Sequence, residues 1–252
     1  MTTTGRSVPP SRQADAGPVP RVSGRQLAAG IGLSAGLAGL LCGATALIAR
    51  AVAPGWAHTE GLTVLIVAEV YLAVIAGLTI AVGGPAGLRN QLALHRPRAG
   101  QIGWALAVLA LAVLAALVVS VAFSPLSGGV PATLRAIVRS GSDEARMATA
   151  TPLVWALIVV RLLVLTGTAE ELFFRGALYG WLRRRWSVPA VIAVTTALFA
   201  LEHGYYPVLL PLVLGYGLAA GWVRHRTHSV GVTIVMHVVV DLGLFLAAVA
   251  LS

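Results

Sequence analysis

Residues 152–181 read PLVWALIVVRLLVLTGTAEELFFRGALYGW. Spanning a hydrocarbon core takes about 20 apolar residues at a rise of about 1.5 Å each, and this stretch is long enough. It nevertheless carries Arg161, Glu170, Glu171 and Arg175. Either it is an amphipathic helix of a soluble domain, or it crosses a membrane and its charges serve a purpose. The rest of the chain decides. Of 252 residues, 58% are hydrophobic and only 11% charged, and mean hydropathy is +0.86. Soluble domains carry about a quarter charged residues, so this chain lacks a water-facing shell.

The same apolar template fits residues 26–48, 61–83, 101–123, 152–181, 188–202, 207–223 and 229–251. An all-α, polytopic membrane bundle of about seven (seven to eight) transmembrane helices is therefore expected. The fifth segment is short for a span, and the fourth is interrupted by charge. Residues 1–25, with four prolines and four arginines, read as a disordered cytoplasmic tail. The run that follows is too long for a signal-peptide core and reads as a retained first span. Residues 26–147 then hold the N-terminal transmembrane helices and a connecting segment, and 148–252 the catalytic core. Within the connection, residues 130–147 suit an interfacial helix or an eighth, partial span.

The net charge of +9 comes from 18 basic residues, all arginine. In a membrane chain this excess speaks of orientation rather than nucleic-acid binding. Twelve arginines fall on one side: four in the tail, then Arg89, Arg96, Arg98, Arg183, Arg184, Arg185, Arg224 and Arg226. The other side holds Arg50, Arg135, Arg139 and Arg146. The positive-inside rule then places the N-terminus in the cytoplasm and the C-terminus outside the cell membrane. The lone Cys42 excludes an intrachain disulfide, an iron–sulfur cluster and a four-cysteine zinc site.

A charge near the bilayer centre costs at least about 2.5–3.5 kcal/mol, so such residues face the bundle interior and mark function. Most of those in the expected spans belong to three motifs. In the first, Glu171 and Arg175 stand at i and i+4, where they can pair. Glu170 points about 100° away and lacks that partner, which favours a proton-accepting Glu170 beside an ionised, structural Glu171. In the second, Phe199 and His203 share a helix face, with Glu202 beside them. In the third, His237 and Asp241 are again i and i+4. Counted from the cytoplasmic ends of their spans, Glu170 lies ~20 Å deep, His203 ~22 Å, His237 ~12 Å and Asp241 ~18 Å. The motifs can meet in one polar pocket. Glu69, at ~22 Å, either joins them or pairs with a neighbouring span.

With no serine, threonine or cysteine in these motifs, water is the natural nucleophile. Glu170, helped by His203, can act as general base toward a peptide carbonyl. His237 and Asp241 can bind the oxyanion or orient the water, and an ionised Asp241 would act by orienting His237. Alternatively Glu170, His203 and His237 form a zinc set with an open fourth position. Sequence leaves the metal-dependent and metal-independent routes equally open. An aspartyl dyad is excluded, since Asp241 is the one aspartate in a span, and no His-Glu-x-x-His zinc motif occurs. The string from Gly32 through Ser34 to Gly36 fits the nucleophile-elbow pattern, but in an apolar span it reads as small residues for close helix packing, as do Gly217 and Gly221.

Together the motifs resemble the CPBP family, the CaaX protease and bacteriocin-processing group that includes the type II CaaX prenyl endopeptidases. The family pattern Glu-Glu-x-x-x-Arg, Phe-x-x-x-His and His-x-x-x-Asn/Asp is met by Glu170, Glu171 and Arg175, by Phe199 and His203, and by His237 and Asp241, across about 162–243. The resemblance implies an intramembrane endopeptidase. In it Glu170 and His203 activate water, His237 and Asp241 serve the oxyanion, and Glu171, Arg175 and Phe199 support them. It leaves open both the metal and the substrate, a membrane-associated protein or peptide. Two rival expectations are a catalytically silent bacteriocin-immunity or scaffolding protein and a proton-coupled transporter.

Overall fold

A computed structural model describes residues 22–52, 60–127, 158–204 and 207–251, together with 129, 130, 132, 135 and 156. Most of the expected tail 1–25 and of the segment 130–147 lies outside the described residues. The elements are α1 (Gly24–Val52), α2 (Glu60–Ala81), a short α3 (Pro85–Gln91), α4 (Ala99–Ala122), a composite helix α5 at 161–182, α6 (Val188–Glu202), α7 (Leu210–Thr227) and α8 (Val230–Leu251). No strand occurs among the described residues.

Local chemistry sets the helix ends. At the start of α1, Ser23 and Gln26 form a reciprocal cap: the Gln26 N–H donates to Ser23 Oγ at 3.2 Å and the Ser23 N–H to Gln26 Oε1 at 3.0 Å. Prolines occupy the first turn of α3, α6 and α7, where a missing N–H breaks no helical bond. Between α2 and α3 the chain turns through Gly83 and Gly84, whose φ angles of 84° and 83° carry little penalty for glycine. The beginning of α8 is fixed from outside its own helix. The Val230 N–H donates to the Ala93 carbonyl at 2.9 Å, and the Ser229 hydroxyl to the His95 carbonyl at 3.1 Å.

Helix α1 lies along α2, α2 reaches α5, α7 packs on α4 and α6, and α8 closes against α4, α5 and α7. Close approach relies on small residues. A Cβ on Gly217 would stand 2.8 Å from Thr196 Cγ2, and one on Gly221 2.9 Å from Ile192 Cγ2, so α7 meets α6 nearly backbone to side chain. On α1 only Ser34 of the suggested string makes the contact, and Gly30 joins it. Gly30 abuts Leu78 and Ser34 abuts Gly77, while Gly32 and Gly36 face open space.

Four helices are long and apolar enough to cross a membrane: Gly24–Ala51, Leu62–Ala81, Ala99–Ala122 and Val230–Ala250. The chain is thus all-helical and multi-pass. The other expected spans fall short by that measure. Helix α5 is broken into short pieces, α6 has 15 residues, and α7 carries Arg224 and Arg226. Arg224, which the sequence places after the sixth span, lies within α7 and is buried, 1% exposed, with its Nε donating to the Arg175 carbonyl at 3.0 Å.

Candidate active site

Helix α5 changes its winding around the two glutamates. A π turn, Arg161–Thr166, leads into the α-helical Gly167–Glu171, and a second, Leu172–Leu178, follows before Tyr179–Leu182. Inserted π turns recur at functional sites because they re-aim side chains within a continuous helix. Gly167 lets α8 come close: a Cβ there would stand 3.2 Å from the Cβ of His237.

One carboxylate oxygen organises the buried half of the site. Glu171 Oε1 accepts a hydrogen bond from the Tyr216 hydroxyl at 2.9 Å and lies 3.1 Å from His237 Nδ1 and 3.2 Å from Arg175 Nη1. Both Glu171 and Arg175 are fully buried. The guanidinium carbon sits 4.5 Å above the Phe199 ring and 5.5 Å from that of Tyr216. Desolvating an ion pair can outweigh its attraction; here hydrogen bonds are added on Glu171 Oε1 alone, and the Arg175 guanidinium, without a hydrogen-bond partner among the described residues, rests against aromatic faces.

His237 links the two glutamates. A carboxylate opposite Nδ1 favours the tautomer with its proton there, and this turns Nε2 toward Glu170 Oε2 at 3.7 Å and Asp241 Oδ1 at 3.6 Å. These separations exceed a direct hydrogen bond.

Glu170 has a partner after all, one that the sequence reading missed. The Tyr71 hydroxyl of α2 donates to its Oε1 at 3.0 Å. A signal was present, because Tyr71 stands ~20 Å from Gly84, the depth inferred for Glu170, and a phenol in an apolar span needs an acceptor. Glu69 takes the other course anticipated for it and accepts a hydrogen bond from Thr45 of α1.

His203 caps α6. Its Nδ1 lies 2.9 Å from the Phe199 carbonyl, which can only accept, so the proton sits on Nδ1. The Phe199 ring stands 4.6 Å from that of His203 and 6.0 Å from that of His237, joining the second and third motifs. The Ser34 hydroxyl, by contrast, donates to the Gly30 carbonyl of its own helix at 2.7 Å.

The anticipated zinc set does not fit this arrangement. Among the described residues no group of three or more His, Cys, Asp or Glu side chains is disposed to hold a metal ion.

Glu170 opens onto a cavity of about 500 Å³ between α1, α2, α5 and α6, whose walls include Ser34, Tyr71, Val74, Phe173 and Glu202. Residues 152–243 match the family model of the Rce1-like type II CAAX prenyl endopeptidases. No curated protein and no solved structure gives a significant match to the chain. The Rce1-like segment contains all three motifs, in agreement with the resemblance read from them, and stops two residues beyond Asp241. It leaves out α1 to α4. Tyr71 and one wall of the cavity are therefore supplied to the Rce1-like segment by helices outside it.

Proposed function

We propose that the chain is an intramembrane endopeptidase in which Glu170 activates water. The observation that carries this reading is the situation of Glu170. It is a buried carboxylate on a cavity wall, held by Tyr71 through one oxygen, with the other 3.7 Å from His237 Nε2.

In the proposed reaction a water molecule gives a proton to Glu170 as its oxygen bonds to the scissile carbonyl carbon, and the carbonyl π electrons move to oxygen. His237, its proton held on Nδ1 by Glu171, accepts from the water through Nε2 and so orients it. Asp241 acts through His237 by fixing the ring. On collapse the carbonyl re-forms and the carbon–nitrogen bond breaks. The proton held by Glu170 passes to the leaving amine, giving a carboxylic acid and an amine. His203, its proton on Nδ1, offers Nε2 as a second base. The substrate is a membrane-associated protein or peptide. The bundle is placed with its N-terminus in the cytoplasm.

The test compares newly formed protein termini in membranes of cells expressing the chain or its Glu170→Gln variant at equal levels. Termini produced by the wild type are expected to vanish with Glu170→Gln and with His203→Ala. Undiminished cleavage by the purified Glu170→Gln protein overturns the mechanism.

A further inference from the structure

The charges around the cavity do not balance. The chain has nine acidic residues, and four of them, Glu170, Glu171, Glu202 and Asp241, converge on this site. Against them stand Arg175 and His237, and both are engaged: Arg175 with Glu171, and His237 with Glu171 on one side and Glu170 and Asp241 on the other. Glu202 is left over. It closes α6, lines the same cavity as Glu170, and makes no hydrogen bond or ion pair among the described residues. Glu170 Oε2, on a residue only 5% exposed, also lacks a hydrogen-bond partner there. Among the described residues no basic side chain lines the cavity, and apart from Ser34, Tyr71 and the two glutamates its wall is apolar, with Ile31, Val74, Leu78, Phe173 and Leu198 prominent.

An apolar trough with a spare carboxylate beside the reacting one fits a ligand of matching form. Carboxylates that share a region of low dielectric repel each other, and the repulsion is relieved by bringing in a cation. A peptide carrying lysine or arginine supplies one, and the aliphatic stem of either side chain packs along apolar walls while its head reaches the acid.

We propose that Glu202 is a specificity residue: the cavity accepts a substrate segment with an apolar side chain against α1 and α2 and a basic side chain against Glu202, next to the bond that Glu170 attacks. This rests on the proteolytic reading above and names the substrate class of the same site, apolar segments carrying a basic residue.

The experiment separates binding from cleavage. The full chain carrying Glu170→Gln, which prevents turnover, is placed in neutral phosphatidylcholine nanodiscs so that lipid charge does not attract the probe. Binding is measured by fluorescence anisotropy for three labelled apolar peptides that differ at one position, Lys, Gln or Glu. The Lys peptide is expected to bind roughly tenfold more tightly than the Gln peptide. Adding Glu202→Gln should erase that preference, and adding Glu202→Lys should shift it to the Glu peptide. Because Glu202 is exposed, the variants should keep the helical circular dichroism of the parent. Equal binding of the Lys and Gln peptides, or a Lys preference that survives Glu202→Gln, overturns the proposal. Failure of the protease reading looks different: the protein with Glu170 intact would bind the peptides with the same preference and cleave none.

Discussion

Two adjacent glutamates in one helix have different surroundings. Glu171 is enclosed by Tyr216, His237 and Arg175, whereas Glu170 meets one phenol and a cavity. The pairing of Glu171 with Arg175 was legible in the sequence, since the two are a single turn apart. Tyr71 and Tyr216 were not, because each arrives from another helix and only tertiary packing brings it in. The burial of Arg224 and its bond to the Arg175 carbonyl were hidden for the same reason. At this scale Tyr71→Phe is the informative substitution, as it keeps the ring and removes the one hydrogen-bond donor to Glu170 among the described residues. A hydrogen bond to a charged group is worth about 1.5–3 kcal/mol. Turnover is therefore expected to fall about tenfold or more with little change in KM, read from steady-state kinetics on any peptide the wild type cleaves. Unchanged kcat would remove Tyr71 from the mechanism.

At the level of elements, hydropathy revealed helices but not their winding. Nothing in residues 161–178 announces two π turns, because side-chain pattern reports which face is apolar rather than where the backbone holds an extra residue. The small residues were legible as a class, and their partners were not. Gly217 and Gly221 let α7 approach α6, while Gly32 and Gly36, equally suggestive in sequence, touch nothing within 4 Å. The contrast is measurable. Gly217→Ala puts a methyl group against Thr196 and should destabilise the bundle by about 1–3 kcal/mol, the usual range for overpacking. Gly32→Ala should leave stability unchanged or slightly raised. Unfolding in mixed micelles, followed by circular dichroism, compares them. Equal stability of the two variants would show that α6 and α7 are not held at the separation described.

Across the whole molecule, membrane character was plain from composition, and the family from three motifs over the last third of the chain. Orientation rests on arginine placement alone. Twelve arginines fall on the proposed cytoplasmic side against four on the other. Fusing a reporter that fluoresces only in the cytoplasm to either end checks this. Signal is expected from the N-terminal fusion and not from the C-terminal one, and the reverse pattern would invert the bundle.

The cavity has a divided origin: its chemistry comes from the Rce1-like segment and its far wall from α1 and α2. Shape and reactivity can then vary separately over evolution. Substitutions in the first two helices can resculpt what is admitted while every bond-breaking group stays in place. Two such proteins with identical motifs can thus process unrelated cargo, and a purpose for one of them is better sought in the residues its motifs omit.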